Sequence, residues 1–159
     1  MLQDLTQLFD QPLISPPAER RLTERLVGAW ARAARGRYPR WDDLRRHVDA
    51  GDAASIFVID IETARDYPHF VYIGDTIAKL SGAFVTGDAD WSRSLLDIAA
   101  QHALRAAALK EPRYCDQRVH LCDGRSILYR TLSAPLADDG QSITHILGAA
   151  NGRFVTRGV

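Results

Sequence analysis

Paired cysteines, a surplus of either charge and long apolar runs are all missing from this chain, and each absence closes off a class of protein. No run of about 18 apolar residues occurs, the length a helix needs to span a bilayer. The opening MLQDLTQLFDQPLISPPAE lacks a basic n-region and carries Asp4 and Asp10 inside its apolar stretch, so it does not read as a signal peptide. The 20 basic and 20 acidic residues cancel. No global field therefore draws nucleic acid or an anionic membrane surface, and neither is expected as a partner.

Cys115 and Cys122 do not make a disulfide framework. Their odd spacing would send them to opposite faces of one continuous strand. They read as buried or half-buried free thiols of a reducing cytoplasm, the expected location. The histidines, His47, His69, His102, His120 and His145, are scattered without HxH or HExxH spacing, and no CxxC occurs, so no metal site is expected. His120 and His145 would approach each other only across the C-terminal sheet.

What is present is a switch between helical and strand periods. At 159 residues, 46% hydrophobic and 25% charged, the chain has the size and composition of one soluble globular domain. Residues 1–15 read as an N-terminal arm, with Leu2, Leu5, Leu8 and Phe9 at helical spacing until Pro12. Ser15 is placed as an N-cap with Pro16 at the first helical position. Leu22, Leu26, Trp30 and Ala33 then form one apolar stripe, and Gly36 and Pro39 end the helix. WDDLRRHVDAGD reads as a further short helix ended by Gly51, completing a helical segment over 16–52.

The following domain, 53–153, begins with period 2. SIFVIDI (55–61) and HFVYIGD (69–75) read as two strands, and a connection of about eight residues suits an antiparallel hairpin. Asp75 is placed to cap a short helix that Gly82 stops. Ser94-Leu-Leu-Asp97 resembles a capping box, followed by a stripe of Leu95, Ile98, Ala99, His102, Ala103 and Ala106. Three strands follow, at about 113–122, 126–136 and 142–150, with turns at Asp123-Gly124 and at Asp138 to Gln141. Pro135, late in its strand, predicts an interruption or a bulge. Residues 154–159 are left as a tail. The class is α+β: a five-stranded antiparallel sheet with inserted helices and an extra N-terminal amphipathic helix.

This order resembles the PAS fold, and the local sequence resembles the small stand-alone bacterial branch of PAS_5 type. The resemblance rests on LVGAWARAARGRYPRWDDL, on FVYIGDTIAKLSG, and on DGRSILYRTLSAPLADDGQSITHILGA, and it covers about residues 20 to 153. It implies a cavity between sheet and helices that senses a small molecule, light or redox state, or a sheet that binds partner proteins. This branch often carries no kinase or DNA-binding module. Output would then pass through a separate signalling protein or a change in self-association, without catalysis.

Six residues are candidates for the cavity: Tyr72, His102, Arg118, Tyr129, Arg130 and Gly148. A flavin photosensor of the LOV kind needs a reactive Cys before the long helix, and SGAFVTGDADWSRS has none, so flavin is not expected. Haem ligation by His102, from the apolar stripe of the long helix, is one alternative, although packing or a polar contact is the commoner role for such a His. A small α+β enzyme using the same cavity is another. The serines lack a nucleophile-elbow context, and Asp60 and Glu62 read as a solvated turn rather than paired catalytic carboxylates. Alternation places Arg130 with Leu128, Leu132 and Ala134, opposite Tyr129. An arginine there either snorkels, pairs with an acid, or holds a carboxylate-bearing metabolite. The small Gly148 and Ala150 would let a helix or ligand approach the last strand closely.

Both faces of the first and last strands are apolar, whereas an antiparallel sheet ordinarily has one wet face. Inserted helices cover one. The remaining apolar element is the N-terminal helix with Leu22, Leu26 and Trp30, which can fold onto its own sheet or across a partner's. A symmetric homodimer sharing these surfaces is the expected assembly.

Overall fold

The computed structural model describes residues 17–63, 69–86 and 93–155, with side chains from residue 22 onward. The expected arm, Ser15, Pro16 and most of the tail lie outside the described residues.

Helix α1, Pro17–Ala34, ends where Arg35 and Gly36 turn left-handed, at φ 44° and 80°. Only glycine takes such a φ without a Cβ penalty. The 41–52 stretch breaks into three pieces: α2 (Trp41–Leu44), a 3-10 turn (Arg45–His47) and α3 (Ala50–Ala53). Gly51 thus sits inside a helical turn instead of ending one. β1 (Ile56–Asp60) and β2 (His69–Ile73) form the antiparallel hairpin. α4 (Asp75–Ala78) follows, capped by Gly74 rather than Asp75, and a 3-10 turn ends at Gly82.

α5 (Leu95–Leu109) opens on the capping box, with the Ser94 side chain accepting from the Asp97 N–H and the Asp97 carboxylate accepting from the Ser94 N–H. Lys110 closes it in the left-handed region. β3 (Arg113–His120), β4 (Ser126–Leu136) and β5 (His145–Phe154) form a meander. Spatial order in the single sheet is β2-β1-β5-β4-β3, all neighbours antiparallel.

The two sheet faces carry separate cores. Under α4 and α5, the inner face buries Phe57, Ile59, Ile127, Tyr129, Ile146 and Ala150 against Ile77, Leu80, Leu95, Ile98 and Ala103. The outer face buries Ile56, Val58, Leu132, Ala134, Leu147 and Ala149 against Leu22, Leu26 and Ala29 of α1, with Trp30 packed beside them. The N-terminal helix therefore covers the outer face of its own sheet. The Trp30 indole N–H donates to the Pro135 carbonyl at 2.7 Å and fixes the helix over the end of β4.

Two local expectations change. Pairing of β4 with β5 runs without a shift from Ile127 to Leu136, so Pro135 marks no bulge. β3 stops opposite Ser133, and a residue without an N–H is tolerated beyond that point. The bulge lies instead in β2, where Val58 faces Tyr72 but Ile59 faces Phe70. The extra residue, Val71, reverses the alternation. Phe70 joins the inner cluster and Tyr72 the outer.

Candidate functional site

Of the six candidate cavity residues, Tyr129 and Gly148 lie on the inner sheet face and His102 on α5 above it, whereas Tyr72, Arg118 and Arg130 lie on the other side. Strand parity decides this. The register pairs Tyr129 with Gln117 and Gly152 on the inner row, and Arg130 with Asp116 and Asn151 on the outer row.

Tyr129 is the largest buried side chain, 1% exposed. Its hydroxyl donates to the Leu95 carbonyl at 2.9 Å, tying the sheet to the first turn of α5. Burial pushes the phenol well above its usual range, so it stays a neutral donor. Gly148 answers the question of what approaches the last strand: an added Cβ would lie 2.0 Å from the Phe57 ring. The ring occupies that space and meets Phe70 edge-on at 5.6 Å between centroids.

His102 Nδ1 and Thr131 Oγ1 are 2.6 Å apart, joining helix to sheet through a half-buried imidazole and a buried hydroxyl. Burial, reinforced by Arg105 and Arg93, holds the imidazole below its usual range and keeps it neutral. Haem is a poor fit to this packing. A planar macrocycle beside His102 would displace Ile98, Ala99, Ala103 and Tyr129, each at most 3% exposed.

Two of the outer-face residues, Tyr72 and Arg130, have structural partners. The Tyr72 hydroxyl donates to the Ala53 carbonyl at 2.7 Å, and its ring lies 5.4 Å from that of Trp41. The Arg130 guanidinium donates twice to the Asp116 carboxylate, at 2.6 and 2.9 Å. This is the acid-paired form among the readings open to an arginine in that row. Arg118 is exposed on β3, the strand at the sheet edge.

Other chemistry-bearing residues are separate. Asp60 accepts from the Glu62 and Thr63 N–H groups and from the Thr63 hydroxyl, closing a turn. Cys122 is exposed, not buried, because β3 ends at His120 and leaves it in the following turn. Cys115 is half-buried, and burial raises its thiol pKa. His120 and His145 pair with opposite ends of β4, Ser126 and Leu136. At ~3.3 Å per residue they are some 30 Å apart. Among the described residues no group of three or more His, Cys, Asp or Glu could hold a metal, and no helix is long and apolar enough to cross a membrane.

Sequence reasoning missed Phe57, Thr131 and Ser133 as inner-face residues. Positions 129, 131 and 133 share a face by alternation, so assigning Tyr129 would have found the other two. Ser133 is buried, and its hydroxyl has no hydrogen-bond partner among the described residues.

Five antiparallel strands with helices between β2 and β3 define an α+β, PAS-like fold. Two solved structures illustrate what this chain is similar to. One is the LOV domain from the Erythrobacter litoralis EL346 blue-light activated histidine kinase, at 16% identity over 62% of this chain and 94% of that one, TM-score 0.41. Another is the PAS domain from Bordetella pertussis BvgS, at 24% identity over 64% and 75%, TM-score 0.38. No family model matches the chain. No curated protein matches it.

Proposed function

We propose that this chain is a PAS-like module of the PAS_5 type that works in bacterial signalling by binding another protein, without catalysis. The observation that carries this reading is the filled inner face. The Phe57 ring lies on Gly148, and Tyr129 is bonded to Leu95 where a ligand-sensing domain would keep space. The signal then leaves through surfaces, to a separate signalling protein or a second copy of the chain. α1 already covers much of the outer face, so a homodimer would use what remains near β3, where Tyr114 is 54% exposed.

A second reading, sensing of a small polar molecule at the inner face, is favoured by the unpartnered Ser133 hydroxyl, because a buried hydroxyl left unbonded costs ~1–3 kcal/mol. Native mass spectrometry of the purified protein, followed by denaturation, separates the two. The interaction reading predicts only the mass of the chain or its multiples. An adduct released on denaturation would replace it with ligand sensing.

A further inference from the structure

The helical segment preceding the sheet holds a feature that the PAS-like core does not use. The end of α1 and the residues from α2 through the 3-10 turn border an open cleft of about 270 Å3, lined by Ala33 and the exposed Arg32, Arg35, Asp43, Arg46 and His47. Three guanidiniums share this space with one carboxylate. Arg32, Arg35 and Arg46 make no ion pair or side-chain hydrogen bond among the described residues. Some arginines elsewhere are paired with acids, among them Arg25 with Asp52, Arg45 with Asp42 and Arg125 with Asp123.

Ordinary structural causes account for only part of the cluster. The helix macrodipole favours cations in the last turn of α1, which explains Arg32 and Arg35. It does not explain Arg46, which arrives from a separate element and adds like charge to the same cleft. Arg35 is also held at φ 44°, a conformation that costs a residue with a Cβ ~1–2 kcal/mol, in a turn closed by the Arg37 N–H on the Ala34 carbonyl at 2.7 Å. An adjoining cleft of about 160 Å3 shares Arg32 and His47 but is lined on its far side by Glu24, Asp49 and Asp52.

We propose that this cleft binds a phosphate-bearing small molecule, with Arg35 and Arg46 closing on the phosphate from opposite walls and Arg32 supporting from α1. Guanidinium forks match phosphate oxygens two at a time, and this chain, with 18 arginines and 2 lysines, is built almost wholly with that group. The volume lies below the roughly 300–1,000 Å3 of drug-sized pockets, which limits the occupant to a small phosphorylated compound. The inference is independent of the inner-face reading, since the cleft lies outside the sheet core.

The test is titration of the full chain with inorganic pyrophosphate, followed by backbone amide shifts and by calorimetry, with citrate as a polyanion of other chemistry. Saturable shifts confined to residues 32–47 are expected, with binding at least about tenfold tighter than for citrate. Arg35→Ala with Arg46→Ala should weaken pyrophosphate at least about tenfold while leaving the thermal midpoint unchanged, as each charged hydrogen-bonding group contributes ~1.5–3 kcal/mol and 1.4 kcal/mol is tenfold. Arg46→Lys should lose less than Arg46→Ala. Citrate binding as tightly as pyrophosphate, shifts centred on other arginines, or an unweakened double variant would each overturn the proposal.

Discussion

The two faces of one sheet are covered in different ways. The inner face lies under helices inserted between strands β2 and β3, so its cover is built into the sheet's own connection, and its polar groups, Thr131 and Tyr129, bond the helix directly, at His102 and at the Leu95 carbonyl. The outer face is covered by a helix that precedes the sheet in the chain and packs with Leu132 to Leu136, Leu147, Ala149, Ile56 and Val58. Beyond that, the outer face carries an ion pair, Arg130 with Asp116, and the exposed Arg118. A sheet apolar on both faces thus need not expose one of them. It needs one extra amphipathic helix, and the observation that pointed to a dimer is answered within the chain.

Substitutions on either side sharpen this comparison. The largest effect is expected at Gly148→Ala. Its Cβ would collide with the Phe57 ring, and overpacking of this severity costs about 3 kcal/mol in chemical denaturation. Adding Phe57→Leu should recover part of that loss, and failure to recover would mean the ring is not what the glycine accommodates.

Next is Leu26→Ala on α1, whose side chain packs against the outer face and is 1% exposed. A loss of about 2–3 kcal/mol in one cooperative transition would make α1 part of the domain core. A negligible loss, or a separate early transition for α1, would make the outer cover an appendage.

Smaller is Tyr129→Phe, which removes the hydroxyl's bond to the Leu95 carbonyl and should cost about 1 kcal/mol without changing the fold, read from urea midpoints.

The smallest effect concerns pH. The folded state holds His102 below its usual range, so the neutral form is favoured in the fold and the unfolded chain takes up the proton first. Stability from this group is fully present above about pH 6.5 and is lost as pH falls through the lower folded value. His102→Gln should therefore show a shallower fall in melting temperature between about pH 7.5 and about pH 5.5 than the parent chain. Equal slopes would remove His102 from the account.

How much was legible follows from how local each interaction is. The capping box at Ser94 and Asp97, the α1 stripe and the extent of β4 rest on residues within a few positions of one another, and all three were readable. So was the opposition of Tyr129 and Arg130, which alternation alone sets. The bulge at Val71 was not readable, because it depends on pairing with β1. Nor was the break of 41–52 into three pieces, where Leu44 and Trp41 turn to meet the outer cluster. His120 and His145, which could have met only across the C-terminal sheet, lie far apart because they pair with opposite ends of β4.

For this protein the sequence by itself determined the element order, the α+β class and the parity of each strand, because periodicity, caps and turn residues act through the nearest few residues. Only the tertiary structure decided which parity is inner and which is outer, that the space beside Gly148 is taken by Phe57, and that arginines from the end of α1 and from the 3-10 turn share one cleft. Those outcomes depend on contacts between residues tens of positions apart, where both faces were equally apolar and local patterning had no preference to express.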